Sequence, residues 1–260
     1  MALCKKKKAA PRTACRWIKH ALIAVVWLLI WQITSMAVGS DLLLPPPLIV
    51  FKALLSLVMS ASFWQTVLYT FLRVLFGFLL GMTAGSFLGV ATAFSPALEA
   101  FFTPLRGLIR ATPVTSFIIL VLLYFSSGIT PLFIAFLTVV PIAWTNVSAG
   151  IRSTDKNLLE AAKVFSLGRY KVFRFIYLPH LKPYAASAAM TALGFAWKSC
   201  IAAEVIASSK HSIGRALYES KLYLEVAELF AWTISVVVLS LVIEHLLKLL
   251  LRDRKGNAND

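Results

Sequence analysis

Three stretches of this chain lack any charged residue: Ala21 to Gly39, Val74 to Leu98, and Ala111 to Ile151. A helix rises about 1.5 Å per residue, so about 20 apolar residues cross the ~30 Å hydrocarbon core of a bilayer. The longest window is interrupted by "SSGITP" at 126–131 and so holds two crossings. Tyr184 to Ile206 is broken only by Lys198 and Glu204, and Leu229 to Ile243 is an apolar run bounded by Glu228 and Glu244. The pattern predicts an all-α, polytopic membrane protein with six spanning helices at about 21–39, 66–94, 112–127, 131–150, 184–206 and 227–247. They form a single domain over 21–250, flanked by a basic tail at 1–20 and a second tail at 251–260. A transmembrane β-barrel needs alternating polarity, which runs such as "VLFGFLLG" and "VLLYF" lack.

Between the spans, "SDLLLPPPLIV" at 40–50 reads as an extended linker, because three prolines remove backbone donors. The next helix is expected from near Ser62 to Phe94, longer than a bilayer requires. Within it Gly77, Gly81, Gly85 and Gly89 recur every four residues, which aligns them in one groove where another backbone approaches closely, either as a static seam or as a track for gating. "SPALEAFFTPLRGLIRATP" at 95–113 predicts a short interfacial helix whose Arg106 and Arg110 share a face and meet headgroups.

Composition agrees: of 260 residues, 59% are hydrophobic and 14% charged, with a mean hydropathy of +0.81 that a soluble domain does not reach. The net charge of +15 would point to nucleic acid in a soluble protein, but its distribution points elsewhere. With the N-terminus in the cytoplasm, cytoplasmic segments hold 20 Lys and Arg against 4 on the other side, Lys52, Lys210, Arg215 and Lys221. That split follows the positive-inside rule, puts both termini in the cytoplasm, and excludes nucleic acid as a partner. Cys4, Cys15 and Cys200 have no metal-ligand spacing, and no disulfide, metal or cofactor is expected. "MALCKKKK" with the run after it reads as an uncleaved first span, and "NVS" at 146–148 falls near a span's inner end and is no glycosylation site.

One cytoplasmic segment, 151–182, stands apart. "EAAKVFSLGRYKVFRFIYLP" at 160–179 has room for two short amphipathic helices, with Leu158, Ala161, Ala162 and Phe165 on one side of the first and Val172, Phe173 and Ile176 on one side of the second. Pro179 and Pro183 are expected to break the pattern before the next span. Such a hairpin either rests on the membrane or docks a partner. Glu160-Ala161-Ala162 with "IYLP" at 176–179 resembles the EAA loop of ABC-importer permeases. "LPPP" at 44–47, "FLRVLFGFLLG" at 71–81, "TPLRGLIRATP" at 103–113 and "FAWKSCIAAEVI" at 195–206 are similar to the nitrate, sulfonate, taurine and bicarbonate branch, which includes permeases for vitamin precursors. The resemblance implies a type I permease fold in the bacterial inner membrane, paired as a homodimer. It also implies a separate ABC ATPase gripping the loop through Glu160, Ala161, Ala162, Phe165, Ser166 and Gly168, and an extracytoplasmic binding protein delivering a small solute. Where that family usually has glycine six residues after the glutamate, this chain has Ser166, with Gly168 two positions later.

A charge within a span costs several kcal/mol unless paired or wet, which makes Arg73, Lys198 and Glu204 pathway candidates. Arg73 equally suits snorkelling to the outer interface, and Lys198 a structural pair. Lys198 and Glu204, six residues apart, point to different faces, so their partners lie elsewhere; Glu204 would brace a gate or close a helix end. The polar segment 208–225, with Ile213, Leu217 and Leu222 as its apolar stripe, predicts a short outer helix facing the binding protein. Two other functions were weighed. An intramembrane enzyme is disfavoured by scattered histidines and by the lack of HExxH and GxSxG motifs, and a secondary transporter by the shortage of buried carboxylates and of repeats. The chain has no P-loop, so ATP hydrolysis would belong to another subunit.

Overall fold

The computed structural model describes residues 12–256, with side chains over 22–251. Residues 1–11 of the basic tail, including Cys4, the side chain of Cys15, and residues 257–260 lie outside the described range. The helices in chain order are α1 (Arg12–Val38), α2 (Pro47–Met59), α3 (Ala61–Phe94), α4 (Pro96–Ala111), α5 (Val114–Leu122) and α6 (Thr130–Arg152). They continue as α7 (Lys156–Val164), α8 (Arg169–Val172), α9 (Leu178–Ala207), α10 (Ile213–Leu222) and α11 (Val226–Gly256), with a π-helical turn at Phe173–Tyr177 joining α8 to α9.

Helices α3, α6 and α9 carry the core, and glycine sets how closely the first two approach. Gly77, Gly81, Gly85 and Gly89 are all buried. A Cβ at Gly77 would stand 2.7 Å from the Leu132 carbonyl oxygen, at Gly81 2.6 Å from the Val139 Cβ, at Gly85 2.5 Å from the Val140 carbonyl oxygen, and at Gly89 2.9 Å from that of Trp144. One stripe of α3 therefore lies directly on the α6 backbone, a contact that gains dispersion where lipid offers no hydrophobic drive for association. Around it Val74 and Phe78 of α3, Ala135 and Val139 of α6, and Ala192, Ala196 and Trp197 of α9 close one apolar cluster, which Ile213 and Trp232 complete. Phe63 stacks on Trp232 at 5.0 Å, fixing the start of α3 against α11.

Three features differ from the sequence-based expectation. The linker at 40–50 leads into helix α2, because the third proline of the run, Pro47, occupies the first helical turn, where a missing N–H costs nothing. The uncharged run at 112–127 is not one continuous helix: α5 has nine residues, about 14 Å, and meets α4 at a 99° bend across Thr112 and Pro113. Pro179 and Pro183 do not break α9; Pro179 lies in its first turn, Pro183 is inside it, and the π-turn just before it widens the backbone, with the Leu178 N–H reaching back to the Phe173 carbonyl. By length and hydropathy four helical segments can cross a membrane among the described residues, and five if α4 and α5 count as one span.

The seam makes a direct prediction. Gly85→Ala is expected to lower stability by about 1–3 kcal/mol, since the new methyl meets backbone and overpacking outweighs the gain in helix propensity of roughly 1 kcal/mol. Gly107→Ala, with nothing within 4 Å of its new methyl, should be neutral or stabilising. Thermal unfolding in detergent separates the two, and equal melting temperatures would contradict the seam's tightness.

Candidate functional site

The segment between α6 and α9 forms an elbow with tied feet. Asp155 caps α7, its carboxylate accepting from the Asn157 N–H at 2.9 Å. At the foot of α6, the Ser153 hydroxyl lies 2.8 Å from the Tyr184 hydroxyl and 3.2 Å from His180 Nε2, both on α9. Along α7, Ala162 is buried and Leu159 half-buried, while Glu160 and Ala161 face outward. The apolar face expected there is only partly covered: Phe165 is 76% and Tyr170 77% exposed, and Leu158 and Val164 are exposed as well.

The turn between α7 and α8 has a defined geometry. The Leu167 N–H donates to the Ala162 carbonyl and the Ser166 N–H to that of Lys163, both at 2.9 Å, which is the hydrogen-bond pattern of a Schellman cap. That cap needs a left-handed residue, and Ser166 supplies it at φ 51°. Gly168 has φ −63° and an extended backbone, so it does not take over the glycine role. Leu167 and Ala162 line a cavity of about 880 Å³ beneath the elbow, with Phe94, Phe173 and Tyr177.

At the opposite end of the bundle two of the three charged candidates meet. Arg73 Nη1 of α3 donates to Glu204 Oε1 of α9 at 2.9 Å, and Glu204 is 0% exposed. The Thr70 hydroxyl is 3.0 Å from both carboxylate oxygens, and the Gly214 N–H at the start of α10 adds a bond of 3.2 Å. Arg73 Nη2 goes on to the Lys210 carbonyl at 3.0 Å. A Cβ at Gly214 would come within 2.4 Å of the Glu204 Cβ, so only glycine lets α10 sit down on the carboxylate. Glu204 thus joins α3, α9 and the N-terminus of α10, where the helix dipole favours an anion. Arg73 and Glu204 are thus both engaged by the protein itself. Sequence reasoning did not find the pair, nor Thr70 and Gly214; its one signal was two opposite charges left over in separate spans.

Lys198 is placed differently. It belongs to none of the three ion pairs among the described residues and is exposed. Ser187, Thr191, Phe195 and Lys198 are all exposed at intervals of 4, 4 and 3 along α9, one face of the helix. Beside that stripe, α4 is fastened to the core: Glu99 accepts from Arg152 of α6, and Arg106 lies 5.3 Å over the Trp144 ring. Trp144 Nε1 in turn donates to the Thr92 hydroxyl at 2.8 Å. Arg106 therefore packs on the protein, where the sequence pointed to a headgroup.

The sequence pattern of the binding-protein-dependent transport system inner membrane components matches residues 77–255. The chain is 27% identical to the taurine transport system permease protein TauC of Escherichia coli over 73% of this chain and 70% of that one. It is 26% identical to the putative aliphatic sulfonates transport permease protein SsuC of Bacillus subtilis over 95% and 90%. It is also 26% identical to the bicarbonate transport system permease protein CmpB of Synechococcus elongatus over 75% and 73%. Its fold is similar to that of the MetNI methionine ABC transporter in an inward-facing conformation, with a TM-score of 0.58 and 16% identity over 73% of this chain and 93% of that one. It is similar as well to a bacterial ABC transporter involved in the import of the acidic polysaccharide alginate, with a TM-score of 0.55 and 19% identity over 92% and 96%.

Two outcomes follow from the geometry. Glu204→Leu should destabilise the protein by about 3–5 kcal/mol, because it strands a largely buried guanidinium, and Glu204→Gln by less, because the amide oxygen still accepts from Gly214. Equal unfolding temperatures for the wild type and Glu204→Leu would overturn this account. Ser166→Gly should relieve the left-handed strain by about 0.5–1 kcal/mol, read as roughly threefold slower hydrogen exchange at the Ser166 and Leu167 amides. Faster exchange would mean that the serine side chain supports the turn.

Proposed function

The chain belongs to the family of binding-protein-dependent transport system inner membrane components, and from that premise we propose that two copies of it form the pathway by which a small anion enters the cell. It is a permease subunit of an ABC importer, a multi-pass membrane protein that performs no chemistry itself and works with a separate ATPase and a substrate-binding protein. In the proposed orientation the elbow and both termini face the cytoplasm, α2 and α10 lie on the opposite side, and α4 with α5 counts as the third of six crossings. The relatives' names, covering taurine, aliphatic sulfonates and bicarbonate, support a small anionic cargo.

One observation carries the mechanism: Phe165 and Tyr170 stand bare on an elbow whose feet are tied to α6 and α9. Exposed aromatics are costly in water and belong at the centre of an interface. The exposed Glu160 and Ala161 flank them, where a small side chain allows close approach. An ATPase closing on the elbow would pull two core helices together, so that nucleotide-driven motion reaches the bilayer without any catalytic residue here. Within the bilayer, Lys198 stands about 14 Å from the end of α9 at Ala207, near mid-membrane, and its exposure fits a watery path or the face of the second copy.

Reconstitution of the permease with its cognate ATPase and binding protein tests this reading. Ala161→Trp or Phe165→Asp should abolish co-purification of the ATPase and ATP-dependent uptake while leaving the permease folded. Lys198→Ala should keep the ATPase bound and lose at least tenfold in uptake. Uptake by the permease alone, without the ATPase, would refute the proposal.

A further inference from the structure

We infer that a second cavity, of about 400 Å³ where α4, α5, α6 and α9 meet, is an anion-binding station built around Arg110. The inference rests on the permease reading and goes beyond it by assigning a site and a ligand class. Of the three charged side chains of α4, Glu99 is paired with Arg152 and Arg106 lies on Trp144. Arg110, in the last turn before the bend, belongs to no ion pair among the described residues and lines the cavity.

The remaining lining completes a site for a small organic anion. Thr112, Thr138 and Thr191 bring hydroxyls from α4's C-terminal cap, α6 and α9. The Thr138 hydroxyl is held by its own helix and by Ser199 at 3.0 Å, whereas that of Thr191 takes part in no hydrogen bond among the described residues and is available to a ligand. Phe117 and Phe195 form apolar walls, and no carboxylate lines the space. A guanidinium stays charged at any physiological pH and matches a carboxylate or sulfonate with two parallel N–H donors. The volume is at the small end for ligand sites and suits an acid head on a body of a few carbons. Lys198 lies on the same α9 face seven residues beyond Thr191, about 10 Å along the helix, so one cation, Arg110 of α4, shares the Thr191 cavity and a second stands farther along that face.

An anionic lipid headgroup has the same chemistry as a free solute, and the test separates them. The assembled importer, with Cys4 and Cys15 replaced by serine and Cys200 retained because it is buried, carries Thr191→Cys in phosphatidylcholine vesicles. Its introduced thiol should react at least tenfold faster with 2-sulfonatoethyl methanethiosulfonate, itself a small sulfonate, than with the trimethylammonium analogue. Arg110→Gln should erase that preference, Arg110→Lys should retain part of it, and excess ethanesulfonate should slow the anionic reagent at least threefold. A rate ratio unchanged by Arg110→Gln, or the absence of protection by ethanesulfonate, overturns the station. Protection that appears only on adding phosphatidylglycerol assigns the cavity to lipid and overturns it too. ATP-dependent uptake measured in the same vesicles keeps the two readings apart: intact uptake with an unchanged ratio defeats only the station, and no uptake by the unsubstituted importer defeats the permease reading.

Discussion

Everything else in this bundle depends on how closely α3 can lie against α6. In lipid two apolar helices gain little by leaving the surrounding acyl chains, so their association must come from surface fit. Four glycines at successive turns remove the side chains that would hold the backbones apart, and the α6 carbonyls and small side chains fill the space. With that pair fixed, α9 packs into the groove beside it, and the three share one apolar cluster. The elbow grows from the end of α6 and returns into α9, so a force applied to it acts on the body rather than on a loose loop.

The accounting of polar groups separates what holds this body together from what it is for. Glu204 is fully enclosed, yet each of its oxygens has a donor: Arg73, Thr70 and Gly214 leave it nothing to offer a solute. Lys198 and Thr191 on α9 and Arg110 on α4 show the opposite pattern: the two α9 side chains are exposed, and Arg110 and Thr191 line open space. A membrane protein tolerates such exposure only toward water or a second protein. Glu204 and the Lys198–Thr191 pair sit on the same helix, α9, on different faces. One face binds the bundle, and the other is the face proposed for traffic.

Much of this was legible in the sequence, and the limits have physical causes. The length of α3, the glycine periodicity and the amphipathic elbow all follow from periods of 3.6 and 4 residues, which one chain displays without knowing its neighbours. The Arg73–Glu204 pair was not legible, because its members are 131 residues apart and only the packing of α3 on α9 brings them together. Prolines misled twice in the same direction: Pro47 opens a helix in place of a linker and Pro183 is absorbed within one, because the cost of a proline depends on which N–H it removes. Arg106 and Arg110 looked equivalent on one helix face. The position of Trp144 distinguishes them, and no pattern in α4 reveals it.

The two cations of the proposed path belong to parts of the molecule that are fastened differently. Arg110 rides on α4, which is clamped to α6 by the Glu99–Arg152 pair and to the α3–α6 seam through Arg106, Trp144 and Thr92. Lys198 rides on α9, which continues without a break through the π-turn into the elbow. A pull on the elbow therefore reaches Lys198 along a single helix, but reaches Arg110 only through side-chain contacts. Coulomb attraction to an anion changes steeply over the first few ångströms in a medium of low dielectric, so a small slip between α9 and α4 is enough to alter which cation holds the solute more tightly. If the proposed station and the Lys198 path both hold, the relative displacement of two anchored charges would direct an anion from one to the other without a gate that moves as a separate part.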